Sequence, residues 1–126
     1  MSLRTPLGRV RGLGSAKDGV GHWWLQRVTA VALVPLAVIL VGMMLHLARA
    51  DHATVIAYMG HPYVATFTAL GLIAAFWHLK LGIQVVVEDY VHTEGLKVVA
   101  LLANTFGCIV FAGLGVVAVL TLAAGG

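Results

Sequence analysis

His78 lies inside a long apolar run, and Glu88-Asp89-Tyr90 follow where that run ends. An ionisable ring in the bilayer interior is uncommon and is by default a functional-site residue. An acid and a phenol at the boundary can exchange hydrogen bonds with a polar molecule held at the membrane surface. Together these residues point to redox chemistry carried by a bound cofactor, with the chain supplying position and electrostatics.

On a helix advancing about 100° per residue, Gly71, Gly82, Val85 and Asp89 fall within roughly 40° of His78. Glycine one turn beyond a histidine leaves room beside the imidazole for something flat and wide. A porphyrin with neutral imidazole as axial ligand has that shape. An imidazole hydrogen-bonded to a neighbouring helix is the plainer alternative. His78 stands about ten residues, or ~15 Å, from the end of its helix, near the midplane. A bis-imidazole haem needs a second ligand, and neither His46 nor His22 lies at that depth. The missing ligand argues for a second subunit.

Three further positions carry paired readings. Arg27, with Thr29 two residues on, could clasp a carboxylate such as a haem propionate, or anchor the helix on lipid phosphate. Tyr90, about 120° from His78, could donate to a quinone carbonyl with Asp89 orienting it or passing protons. The other reading is an interfacial tyrosine beside acids in a solvated turn. Lys80 points about 200° away from His78, and either snorkels to the surface or pairs with a neighbouring subunit.

The elements that must position these groups follow from composition. Of 126 residues, 60% are hydrophobic and 10% charged, against roughly a quarter charged in soluble domains. Lipid must cover such a chain, so the expected fold is an all-α membrane protein forming a single domain. Three apolar windows, 28–47, 64–87 and 98–124, each reach the ~20 residues a membrane-crossing helix needs. Pro35 is expected to bend the first span, and Pro62 suits the start of the second. Arg4, Arg9, Arg11, Lys17 and Arg27 make residues 1–27 a basic tail, whereas the first connection, from about Ala48 to Tyr63, holds only Arg49. The positive-inside rule then puts the N-terminus in the cytoplasm and, after three crossings, the C-terminus in the periplasm. The first run is too long for a signal-peptide core and stays as an anchor. His22, Trp23 and Trp24 suit an interfacial belt.

Other features read as structure. Cys108, alone, excludes an internal disulfide and a Cys-rich metal site. Ala103, Gly107, Cys108, Ala112, Gly113 and Gly115 offer small faces for close helix contact, with Asn104 able to hydrogen-bond across it. His52 and His61 are spaced unlike a chelate and read as solvated loop residues. The net charge of +3 is crowded at one end, which is no nucleic-acid signature.

Arg27-Val-Thr-Ala30, then His78-x-x-x-Gly82-x-Gln84 and Glu88-Asp89-Tyr90, resemble the small hydrophobic D-type anchor subunit of succinate dehydrogenase, complex II. The likeness extends from about His22 to the end, and His78 to Tyr90 is its most specific part. It implies two anchor subunits of three helices each, holding a flavoprotein and an iron–sulfur subunit at the cytoplasmic face of the bacterial inner membrane. It implies one haem b between the anchors, with His78 as one axial ligand to its iron, Arg27 near the propionates and Gly82 beside the ring. Tyr90 and Asp89 match the ubiquinone site, whose remainder belongs to the partner subunits. The chain would be a part of an enzyme without a complete active site of its own. An anchor of a quinol:fumarate reductase, and a small proton-path subunit using His78 and Lys80, are the alternatives. The residues His22-Trp-Trp-Leu-Gln26 depart from the family's spacing, and the resemblance gives no role to His22 or Lys80.

Overall fold

The computed structural model describes residues 5–12 and 19–126. Arg4 and Lys17 of the basic tail lie outside the described residues, as does the side chain of Arg9. The chain folds into helices α1 (Pro6–Val10), α2 (Gly19–Leu47), α3 (His52–Met59), α4 (Pro62–Tyr90) and α5 (Glu94–Ala123). Among the described residues there is no strand. Three of the helices, α2, α4 and α5, are long and apolar enough to cross a membrane, so this is a multi-pass membrane protein.

The helices outrun the apolar windows because hydropathy marks the hydrocarbon, while backbone hydrogen bonding continues into the interface. α2 starts at Gly19, upstream of Val28, and so carries His22, Trp23 and Trp24 on its first turns. α4 runs through Tyr90, so Asp89 and Tyr90 occupy its last turn and not a solvated loop. Pro35 lies within α2, and Pro62 opens α4 after His61 at the N-cap.

The first connection is not an open loop. It contains α3, whose N-cap Asp51 accepts a hydrogen bond from the Thr54 backbone N–H at 2.9 Å. The cap satisfies one of the orphan donors that start any helix. Hydrogen bonding from Thr54, through its side chain first and its backbone N–H second, holds the exposed Asp51 carboxyl below its ordinary pKa. α3 packs against α4 and α5, and Met59 at its end joins Ala65 and Val119 in a small buried cluster.

α4 is the shared partner, packed along both α2 and α5. Pairs down the α2–α4 seam run antiparallel: Gln26 lies near Gly82, Thr29 meets His78, Leu40 meets Gly71, and Met43 meets Thr68. The α4–α5 seam pairs Leu72 with Gly115, Phe76 with Phe111, and the Lys80 carbonyl with Asn104. Two close approaches explain two glycines. A Cβ on Gly71 would stand 2.7 Å from Leu40 Cδ1, and one on Gly115 3.1 Å from Leu72 Cδ1. Gly107 and Gly113 would meet nothing within 4 Å, so of the small-residue face on α5 they are not contact points within the chain.

Candidate functional site

The seam between α2 and α4 brings Thr29 and His78 together. Thr29 is on the α2 face turned to α4, and its hydroxyl oxygen lies 3.0 Å from His78 Nδ1. The same oxygen is 2.8 Å from the Leu25 carbonyl and 3.2 Å from the Gln26 carbonyl of its own helix. His78 is half-buried, and among the described residues Nε2 has no hydrogen-bond partner. One nitrogen tied to a second residue and the other left with its valence open is the arrangement a metal-ligating histidine needs. The residues therefore fit an axial imidazole. His78 also hydrogen-bonds a neighbouring helix, so the plainer of the two sequence readings is present in the geometry as well.

The space reserved for a flat group along the glycine stripe is used differently at its two ends. Leu40 fills the gap at Gly71, which makes Gly71 a helix-crossing position. Gly82 faces α2 more openly, with the Gln26 amide nitrogen 3.9 Å from where its Cβ would be. Around that point two buried polar atoms, His22 Nε2 and Gln26 Oε1, lack partners. Buried polar atoms are nearly always satisfied, so this pair marks a polar spot in the seam roughly one to two turns from Thr29. The sequence suggests an interfacial belt for His22 and no role for Gln26, whereas the His22 Nε2 atom is buried. The one available signal was the i, i+4 spacing of His22 and Gln26 on α2.

Arg27 does not join His78. Its guanidinium lies over the Trp23 ring at 5.4 Å, and with Trp24, Val28 and Val31 it lines a shallow hollow on the outside of α2. Among the described residues it pairs with no carboxylate. Tyr90 is 77% exposed and Asp89 is exposed beside it. Neither the phenol nor that carboxylate has a partner among the described residues. By the antiparallel seam, the α4 end that carries them is the same end of the bundle where α2 begins. Along α4 they are about 18 Å from His78 by the helical rise. Nearby, Gln84 donates to Glu88 at 2.8 Å, Lys97 reaches the Glu88 carbonyl at 3.3 Å, and the His92 ring nitrogen meets the Tyr90 carbonyl at 3.0 Å.

Lys80 is placed by α5. Asn104 donates to its backbone carbonyl at 2.9 Å, and its ammonium lies over the Trp77 ring at 5.6 Å. Phe76, Trp77, Lys80 and Cys108 line an apolar cleft of about 150 Å³ between α4 and α5. His78 and Lys80 thus face different neighbours, which does not assemble a single path. His46 stacks obliquely on Tyr58, and His61 on Tyr63, at the far end of the bundle.

Residues 1–123 match the family described as the succinate dehydrogenase/fumarate reductase transmembrane subunit. The chain belongs to that family. It is similar to the succinate dehydrogenase hydrophobic membrane anchor subunit of Paracoccus denitrificans, 34% identical over 115 residues, covering 89% of this chain and 87% of the relative. The protein of the same description from Rickettsia bellii (strain RML369-C) is 33% identical over 95 residues, 75% of this chain and 76% of its own. The succinate dehydrogenase membrane anchor subunit of Reclinomonas americana is 30% identical over 88 residues, 68% and 73% of the two chains. No solved structure matches. Within this anchor chain, the α2–α4 seam carries His78, and the exposed end of α4 carries Asp89 and Tyr90.

Proposed function

We propose that the chain is an anchor subunit of a succinate:quinone oxidoreductase, supplying one axial ligand to a shared haem b and part of a ubiquinone site. The observation that carries the reading is His78: a half-buried imidazole deep in a membrane span, with Nδ1 held by Thr29 and Nε2 open. The haem, when bound, would supply one-electron capacity. His22 and His46 stand about 10 Å and 25 Å from the level of Thr29 along α2, so a second ligand to the bound group would come from a second anchor subunit.

The remaining roles belong to this chain's own side chains. Tyr90, at the water boundary with a free phenol, donates to a quinone carbonyl, and Asp89 beside it holds or relays the proton the quinone takes up. Gly82, one turn from His78, leaves the seam open beside the imidazole, with only the Gln26 amide nitrogen near its Cβ position, at 3.9 Å. Arg27 is a planar cationic fork without a carboxylate partner among the described residues, suited to a propionate. The tail residues Arg11 and Arg27, with the other basic residues of that end, place α2's start in the cytoplasm of a bacterium, so the soluble flavoprotein and iron–sulfur subunits dock on the face where Tyr90 emerges. The names of the relatives support succinate oxidation over the reverse direction.

The quinone role is tested by assaying the purified complex with two acceptors. Tyr90→Phe is expected to lower succinate:ubiquinone turnover about ten-fold or more, in the range for a lost positioned proton donor, while reduction of an artificial soluble acceptor stays at the wild-type rate. Equal loss with both acceptors would take Tyr90 out of the quinone site.

A further inference from the structure

We infer that Thr29 is the positioning residue for His78: its hydroxyl accepts the Nδ1–H hydrogen bond, which fixes the tautomer and leaves Nε2 as the iron-facing donor. The inference rests on the haem reading above and deepens it.

The proton count decides the direction of the bond. A threonine hydroxyl has one hydrogen and can accept through its lone pairs. Two carbonyl oxygens, of Leu25 at 2.8 Å and Gln26 at 3.2 Å, lie within reach of Thr29 Oγ1, and both only accept. The hydroxyl hydrogen therefore goes to its own helix, the usual back-bond of a mid-helix threonine. Were it turned to His78 instead, Oγ1 and the Leu25 oxygen would face each other at 2.8 Å with no proton between them. The imidazole has a proton to give, so Nδ1–H donates to Thr29 Oγ1 at 3.0 Å. In a neutral ring the proton on Nδ1 leaves Nε2 with its lone pair.

Three links follow from one side chain. α2's backbone carbonyl orients the hydroxyl, the hydroxyl orients the imidazole, and the imidazole presents Nε2 at a fixed angle from α4. A ring that donates through Nδ1 is also a stronger electron donor through Nε2. Such a ligand favours ferric over ferrous iron and holds the haem potential down. The residue is thus a tuning element as well as a strut.

The test uses the whole complex purified from membranes, with Thr29→Val, Thr29→Ala, Thr29→Ser and His78→Ala beside wild type. Valine has nearly the shape of threonine without the acceptor, and alanine serves if the second methyl disturbs the seam. Serine keeps the acceptor and loses the methyl. Readouts are haem retained per flavin, low-temperature electron paramagnetic resonance g-values, and the midpoint potential from redox titration. With the hydroxyl gone, haem affinity is expected to fall about 10–100-fold, the usual loss for an outer-shell partner. The haem that remains should show shifted g-values and a raised potential, while Thr29→Ser matches wild type. Packing alone would give the reverse order, with serine worse than valine, and that result would overturn the inference. So would valine and alanine variants matching wild type in all three readouts while His78→Ala loses the low-spin signal. An unchanged signal in His78→Ala overturns the haem reading itself, and the inference with it.

Discussion

At the residue scale, one imidazole and its surroundings carry most of the account. The sequence showed His78 as an ionisable ring at membrane depth, and the structure adds Thr29 at 3.0 Å from Nδ1. That partner was not legible, because forty-nine residues separate the two and only the α2–α4 register brings them level. Arg27 shows the converse: it is near Thr29 in sequence, but the helical turn sends it outward over Trp23. Its charge is what the propionate role needs, so Arg27→Lys is expected to keep the helix anchored while loosening the haem, since lysine offers a point charge in place of a planar fork. Haem content per flavin measures this. Equal haem content in Arg27→Lys and Arg27→Ala, both at the wild-type level, would leave Arg27 with an interfacial role only.

At the element scale, the glycines separate packing from chemistry. Gly71 lies on the His78 face, yet the space beside it holds Leu40, so the stripe is a helix crossing at one end and an open seam at the other. Gly71→Ile is expected to push α2 off α4 and lower the detergent-unfolding stability by about 1–3 kcal/mol, as overpacking does. Leu40→Ala in the same chain should recover much of the loss, a coupling a double-mutant cycle reads directly; strict additivity would contradict the contact. Asn104→Leu removes the bond to the Lys80 carbonyl and is expected to cost about 0.6 kcal/mol, the average for such bonds in membranes. The spans themselves were legible from hydropathy, but α3 was not. It is an eight-residue helix set by the Asp51–Thr54 cap and by Met59 burying against α4 and α5, and neither leaves a hydrophobic period long enough to read. The cap predicts a pH dependence. Since the Asp51 pKa is lowered by its hydrogen bond with Thr54, its contribution is full above the unfolded value near about 3.9. It is lost as pH falls through the lower folded value. Hydrogen exchange at the first turn of α3 should therefore quicken only in that acid range, and Asp51→Asn should remove the pH step; a step near neutrality would contradict the assignment.

At the scale of the whole molecule, the chain has little core of its own. Among the described residues few side chains are buried, chiefly Met59, Ala65, Leu81, Thr68 and Val119, while rows such as Val31, Val34 and Val38 on α2 lie open. In a bilayer such rows gain nothing from leaving water, so helix contacts and partner subunits decide the assembled state. The distribution of basic residues predicts the N-terminus inside and the C-terminus outside, so a reporter fused after Gly126 should be active only in the periplasmic format; cytoplasmic activity would invert the placement of Tyr90. In the proposed function, the polar groups at the α2–α4 seam and at the end of α4 are completed into sites by other chains. Ligation by His78 of a haem shared with a second subunit is tested most directly by the reduced-minus-oxidised absorption spectrum of the purified complex, wild type beside His78→Ala. A b-type α-band in wild type that is lost or displaced in the variant is the predicted result. The same band at the same position and intensity in both would contradict it.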